Sequence, residues 1–404
     1  MFIKRESYLN KMRPFYNTSV VKVLTGMRRC GKSVMLQLIK DDLKEIGISN
    51  QQMLSFNFES FKEPFLQDRE LTYKEIENFA KSKEERVYFF FDEIQELKGW
   101  EKLINSCLID FNCDIYITGS NANLLSGELA TYLAGRYIEF PIYPFSFAEI
   151  ITYLEENGEL IDREEAFLLY LTYGGLPFLY QFDLKGREAI TYLEDIFNSI
   201  IVKDIAMRAQ VREIELLKRL ILFLMANIGK TFSAKSINKY LKSEKRSLSN
   251  ETIYNYIEYC KTANLLYLVP RYNIQGKELL QFGEKIFLTD HGLREAIYGN
   301  NQRDIELILE NIVFLELKRR GYTVFVGKFR EKEVDFIATT SKTTMYVQVT
   351  YLLASKETIE REFSVLESIE DNYPKYVLSM DTVSRSRNGI IHQNIKEFLL
   401  DKMI

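Results

Sequence analysis

Histidine is nearly absent from this chain: His291 and His392 are the only two in 404 residues. The four cysteines, Cys30, Cys107, Cys113 and Cys260, are scattered and form no C-x-x-C pair. These shortages leave no ligand set for a structural zinc and no disulfide framework, so a reducing, cytoplasmic setting is expected. Only 7 prolines and 19 glycines leave little room for long linkers. No apolar run reaches the ~18 residues of a membrane-spanning helix. The opening Ile3-Lys4-Arg5-Glu6-Ser7 does not provide the apolar core of a signal peptide, and no membrane partner is expected. A net charge of −4 excludes a polycation, so any nucleic-acid surface must be local. What remains is of globular composition, 46% apolar and 27% charged, and long enough for two to four domains.

One stretch organises the chain. The apolar run Val20-Val21-Lys22-Val23-Leu24 reads as a buried strand, and Val34-Met35-Leu36-Gln37-Leu38-Ile39 as a helix. Between them Gly26-Met27-Arg28-Arg29-Cys30-Gly31-Lys32-Ser33 is a complete G-x-x-x-x-G-K-S phosphate loop. The two glycines let backbone N–H groups approach phosphate oxygens, and the helix start aims its positive end at the same anion. Lys32 adds a full charge for β- and γ-phosphates, and the Ser33 hydroxyl suits Mg²⁺. Arg28 and Arg29 add positive potential or point to solvent.

A second half follows. Arg86-Val87-Tyr88-Phe89-Phe90-Phe91-Asp92-Glu93 is an apolar strand ending in two acids. Asp92 suits Mg²⁺, and Glu93 is placed to polarise an attacking water as general base. ATP and Mg²⁺ are therefore the expected ligands, with hydrolysis rather than binding alone. Cys113 to Thr118 is a further strand, and Thr118, Ser120 and Asn121 at its end could sense the γ-phosphate or position water; a simple polar turn reads the same way. Arg136 could be an arginine finger, in cis or from a neighbouring copy, or a structural ion pair. Strands alternating with helices argue for a parallel sheet covered on both faces.

Beyond residue 145 the pattern changes. Ser146 to Tyr173 and Glu188 to Arg208 read as helices around the break Gly174-Gly175-Leu176-Pro177, a helical lid over 146–212 in which Lys203, Asp204 and Arg208 could report nucleotide state but better suit a solvated face. Over 213–300 the order is an apolar helix, two polar-capped helices from Ser233 and Ser249, then two strands, that of a winged helix-turn-helix. Lys230, Lys235, Lys239, Lys242, Lys245 and Arg246 stand there against Glu244, a local +6 − 1 = +5. Such a patch attracts a phosphate backbone, and DNA is the expected partner; a protein-binding winged helix with a solvated basic face is the alternative. Residues 301–404 give helix, three strands, helix, strand. That order is shared by restriction-endonuclease-like folds, whose metal site needs an Asp and then an acid-x-Lys triplet. Asp335 is in place, with Glu310 a fourth candidate, but the triplet is Gln348-Val349-Thr350, so an active nuclease is not expected.

The chain resembles a group of bacterial and archaeal AAA+ superfamily ATPases with a winged helix and an endonuclease-like C-terminal domain. The phosphate loop, Phe91-Asp92-Glu93-Ile94-Gln95 and Ile117-Thr118-Gly119-Ser120 carry the likeness, with Leu133-Ala134-Gly135-Arg136, Tyr173-Gly174-Gly175-Leu176-Pro177, Leu288-Thr289-Asp290-His291-Gly292 and Glu333-Val334-Asp335-Phe336. The resemblance implies ATP binding and hydrolysis by Lys32, Ser33, Asp92 and Glu93. The expected architecture is α/β: a P-loop AAA-type core (1–145), the lid (146–212), the winged helix (213–300) and the endonuclease-like part (301–404). The expected activity couples nucleotide state to DNA, with a homo-oligomer or protein partner, an ATP-dependent interaction switch, and a nuclease with a relocated lysine as other readings.

Overall fold

The computed structural model describes residues 3–120, 133, 135–158, 162–184, 186–243, 245–299 and 301–401. The chain forms two compact units, Met1–Tyr143 with Thr262–Asn264, and Pro144–Lys261 with Leu265–Ile404.

The first unit is built on five strands: β1 (Val21–Thr25), β2 (Met53–Asn57), β3 (Val87–Asp92), β4 (Cys113–Gly119) and β5 (Tyr137–Pro141). All pair in parallel, in the order β2-β3-β4-β1-β5. Every residue of β1, β3 and β4 is buried, as the unbroken apolar runs require of strands covered on both faces. The helices are α1 (Glu6–Met12), α2 (Lys32–Glu45), α3 (Arg69–Lys81) and α4 (Trp100–Asp110). Phe89, Phe91, Ile115 and Ile117 of the sheet pack with Trp100 and Ile104 of α4 in one core. Helix α1 stops at Met12, because Pro14 lies in a tight turn, Arg13–Phe15, directly after it. Strand β5 has no clear sequence signal: it is five residues long, ends in proline, and is fixed by pairing along all of β1.

Beneath this sheet sits a fully buried ion pair, Lys22 of β1 with Asp114 of β4. Burial pushes the Lys22 ammonium down although Asp114 opposes it. The carboxylate also accepts from Asn17 N–H (2.8 Å) and the Tyr116 hydroxyl (3.0 Å). The ammonium's other side-chain partner is the Thr18 hydroxyl (3.2 Å).

The second unit holds helices α5 (Phe147–Glu156), α6 (Arg163–Tyr173), α7 (Glu188–Ser199), α8 (Ile214–Ala226), α9 (Ala234–Ser243), α10 (Asn250–Thr262), α11 (Gly292–Tyr298), α12 (Ile305–Arg319), α13 (Lys356–Glu367) and α14 (Ile395–Leu400). Its strands are β6 (Leu266–Asn273), β7 (Glu278–Leu288), β8 (Thr323–Phe329), β9 (Lys332–Thr339), β10 (Thr344–Val349), β11 (Lys375–Ser379) and β12 (Ile390–Asn394). They form one sheet in the order β12-β11-β10-β9-β8-β6-β7. The β6–β7 hairpin is thus not a free wing, since Arg271–Asn273 pair in parallel with Val326–Lys328 of β8. That pairing joins the segments expected as winged helix and C-terminal part in one sheet, and the segment expected as lid belongs to the same unit.

The helix expected over 146–173 is two helices, the first opened by a reciprocal cap between Ser146 and Glu149. The helix expected over 188–208 widens into a π-helix at Ile200–Met207, where Asp204 is buried rather than on a solvated face. Two glycine-bearing motifs interlock. Asp290 accepts from the N–H groups of Gly175 and Gly292, both at 2.8 Å, and a Cβ at Gly174 would stand 2.1 Å from its Oδ1. Burial pushes the Asp290 carboxyl up to about 6 and the His291 imidazole down to about 4. Neither faces an open site; they are the internal fastening of this unit.

The Lys22–Asp114 pair predicts an asymmetry. Asp114→Ala strands a buried ammonium and should destabilise the first unit by about 3–5 kcal/mol. Lys22→Met leaves a carboxylate that still holds two hydrogen bonds and should cost less. Thermal melting of both variants checks this; a lower melting temperature for Lys22→Met would contradict the account.

Candidate functional site

Parallel pairing sets the carboxyl ends of β1, β3 and β4 side by side, where an open α/β sheet receives its ligand. β1 runs into the loop Gly26–Gly31, and α2 starts at Lys32. Gly31 has φ +102° and Gly26 φ +146°, both in the left-handed region that glycine tolerates. A Cβ at Gly26 would stand 2.3 Å from the carbonyl oxygen of Ile142, so the loop is pressed onto the segment after β5 at a distance open only to glycine. Met27 and Cys30 are fully buried, which leaves their backbone as their contribution to the loop. Burial pushes the Cys30 thiol up. Arg28 lies 3.6 Å from Glu59, and Arg29, at φ +66°, is exposed.

Lys32 is 4% exposed; its ammonium donates to the carbonyl oxygens of Gly26 and Met27, each at 3.2 Å. It also lies 3.4 Å from Glu93 Oε1. Ser33 is exposed in the first turn of α2. At the end of β3, Asp92 Oδ1 accepts from the Thr118 hydroxyl (2.6 Å) and Oδ2 from the Asn57 amide (3.3 Å). Glu93 follows with φ +50°, and its N–H donates to the Thr118 hydroxyl oxygen (2.9 Å). The Gln95 amide donates to the Glu93 carboxylate. Burial pushes that carboxyl up, but Lys32 foremost, then Gln95 and Arg28, outweigh it and hold it below the ordinary glutamate value. Glu93 is therefore an ionised base at neutral pH.

The expected site residues divide into those brought together and those left apart. Gly26 to Ser33, Asp92 and Glu93 converge. Thr118 is wholly buried, and its hydroxyl donates to Asp92 while accepting from the Glu93 N–H. It is a positioning residue, visible in sequence only as a polar residue at a strand end. Ser120 is 1% exposed, and among the described residues its hydroxyl has no partner, which leaves it able to meet a ligand at the β4 terminus. Asn121 lies outside the described residues. Arg136 is not at this edge. Its carbonyl accepts from the N–H of Val21, the first residue of β1, so the length of β1, roughly 13 Å, separates it from the loop. The parallel register thus sets Arg136 at the far end of β1 from the loop of its own chain.

The site suits a polyphosphate with Mg²⁺: a helix N-terminus, a buried ammonium, an exposed hydroxyl and a carboxylate whose oxygens each retain a lone pair. A separate cavity of about 440 Å³ in the second unit gathers Glu310, Asp335, Gln348 and Thr350, the C-terminal residues singled out by sequence, with Glu333 and Glu362. Burial first, and for Glu310 the neighbouring Asp335, push those two carboxyls above their ordinary range.

Thr118→Val removes the donor to Asp92 and the acceptor of Glu93 N–H without changing shape. The expected loss is about 1–3 kcal/mol, read by thermal melting, with faster hydrogen exchange at the Glu93 amide. Unchanged melting and exchange would show that Thr118 positions neither acid.

A family model described as an AAA domain matches residues 18–151, and one described as a domain of unknown function matches 164–304. An uncharacterized protein of Haemophilus influenzae is 41% identical over 379 residues, covering 93% of each chain. An uncharacterized protein of Methanocaldococcus jannaschii is 31% identical over 367 residues, covering 86% of this chain and 78% of that one. Among solved structures, a Walker-type ATPase of Pyrococcus abyssi is similar in fold, with a TM-score of 0.51 at 15% identity over 74% of this chain and 96% of that one. The chain belongs to one family with these bacterial and archaeal relatives, and its N-terminal part is a P-loop ATPase domain of the AAA type.

Proposed function

We propose that the chain is a Mg²⁺-dependent ATPase whose nucleotide state governs a DNA-binding face of the second unit. The observation that carries the ATPase assignment is the 3.4 Å pair of Lys32 and Glu93, which joins the phosphate-binding cation to the base. In this arrangement each neutralises the other. A polyphosphate on the loop competes for Lys32, and Glu93 is then released as a free carboxylate toward water. Ser33 and Asp92 are the residues to hold Mg²⁺, whose charge would neutralise phosphate oxygens. Glu93 accepts the proton of the attacking water, and Ser120 offers a hydroxyl beside it. Arg136 can reach a nucleotide only from a second copy of the chain.

The DNA reading rests on helix faces. On α9, Lys235, Lys239 and Lys242 fall at i, i+4 and i+7, opposite the buried Ala234, Ile237 and Leu241. With Lys230, Lys245 and Arg246 they are all exposed. The next helix, α10, exposes Glu251, Tyr254, Asn255 and Glu258, and its Lys261 pairs with Glu258 at 3.1 Å. The phosphate-binding face is therefore α9 and the turn after it, and α10 adds no net positive charge. From the last residue of α10 onward, Thr262–Asn264 belong to the nucleotide-bearing unit, where the Asn264 amide donates to the Ser120 carbonyl (3.3 Å). A shift at the end of β4 is thus carried by the covalent chain toward α10.

Two measurements test this. Lys32→Ala should weaken binding of a fluorescent nucleotide, whereas Glu93→Gln, which releases Lys32, should bind at least as tightly as wild type and lose ~10²-fold or more in turnover. Equal loss of binding in both would overturn the assignment. For DNA, each lost phosphate contact lowers the salt slope by about 0.9, so Lys235→Ala, Lys239→Ala and Lys242→Ala together should flatten it by up to about 2.7. Turnover without DNA should persist. An unchanged slope would make this basic face a protein-docking surface.

A further inference from the structure

The helix, three strands, helix, strand order of the C-terminal part would, by its likeness to endonuclease-like folds, place a divalent cation in the 440 Å³ cavity beside Asp335. With Lys285 in place and its acids already engaged, the donor set as it stands does not fit one. Gln348 stands where an acid is needed, and both ends of its amide are engaged: Oε1 accepts from Asp335 N–H (2.7 Å) and Nε2 donates to Glu362 (2.9 Å). One oxygen of Asp335 accepts from Val349 N–H (2.8 Å). Thr350, 3% exposed, brings no charge. Among the described residues no group of three or more His, Cys, Asp and Glu side chains is disposed to hold a metal.

A different cation is already present. Lys285 of β7 is 5% exposed, and its ammonium lies 2.7 Å from Glu333 and 3.7 Å from Glu310. Burial alone would push it down, but Glu310, Asp335 and Glu333 oppose burial and the net direction is up. Arg271 of β6, on the same hairpin, reaches Glu333 at 2.6 Å, and Arg361 reaches Glu362 at 2.7 Å.

We propose that Lys285 is a built-in cation that takes up acids bordering this cavity, Glu310 and Glu333, in the stead of a divalent metal. The cavity is then a permanent ionic joint between the β6–β7 hairpin and the C-terminal sheet, and not a reaction site. The competition is unequal. An ammonium tethered by its own strand is present at an effective concentration that free metal must match, in the millimolar range for short tethers. Mg²⁺, moreover, sheds water reluctantly and needs several unengaged oxygens. Here Glu333 holds two cations, Glu362 holds Arg361 and Gln348, and Asp335 is partly engaged by backbone.

The proposal makes the metal site latent. Lys285→Met keeps the length of the side chain and removes its charge. Mn²⁺ titration of the full chain without nucleotide, read by the electron paramagnetic resonance of free Mn²⁺, compares wild type, Lys285→Met, Lys285→Met with Asp335→Asn, and Asp335→Asn alone. Any weak binding at Ser33 and Asp92 is common to all four. Lys285→Met should gain one Mn²⁺ per chain, and Asp335→Asn in the same chain should abolish the gain. Asp335→Asn alone should bind as wild type does, and this comparison stands even if Lys285→Met does not fold. A wild-type site lost in Asp335→Asn, or a folded Lys285→Met that gains no Mn²⁺, would overturn the proposal.

Discussion

Parallel pairing of five strands is the constraint on which the nucleotide site depends. Because β1, β3 and β4 all run the same way, the phosphate loop, the acids after Phe91 and the Ser120 terminus emerge at one edge. The same register puts Arg136 at the opposite edge. A single antiparallel strand in the centre would have scattered these groups. The buried Lys22–Asp114 pair links β1 to β4 directly, so the strand that leads into the loop and the strand that carries Thr118 are held together beneath the site.

Two lysine–carboxylate contacts organise the two units, and they differ in kind. Lys32 and Glu93 stand at strand ends on loops, with Glu93 in a left-handed conformation and Lys32 leaning on backbone carbonyls. Nothing there prevents exchange of partners, which a site that receives a charged ligand requires. Lys285 and Glu333 stand on β7 and β9, two strands of one continuous sheet, and Arg271 of β6 also holds the Glu333 carboxylate. The same chemical pair therefore serves as an exchangeable contact in one unit and as a fixed joint in the other. The difference lies in the backbone that carries it.

The nucleotide edge was legible in the sequence because local signals coincided there. The glycine spacing, the apolar run before it and the helical pattern after it specify a strand, loop and helix within some twenty residues. The unbroken run Val87 to Phe91 and its terminal acids marked the second strand as well. What was hidden depended on partners distant in sequence. Thr118 reads as one more polar strand end until its two neighbours are known. Strand β5 exists because β1 pairs with it. Gly175 and Asp290, 115 residues apart, explain each other only when folded. Lys285 looks like an ordinary polar strand residue, and nothing local tells that acids of α12 and β9 surround it. Arg136 shows the converse error: proximity in sequence to the core suggested proximity to the site, and strand direction decides otherwise.

On the function proposed above, the resting contact between Lys32 and Glu93 also sets a threshold for anions. The loop, with its lysine already neutralised, presents little net attraction to small anions. A lone phosphate must separate the pair and gains few N–H contacts in return, whereas a nucleotide triphosphate spans the whole loop from Gly26 to Ser33. Apparent affinity is the intrinsic affinity scaled by the fraction of molecules in which the pair is open, and that scaling falls on every anion alike. On the function proposed above, a ligand overcomes it only by making enough contacts along Gly26 to Ser33 to repay the opening of the pair.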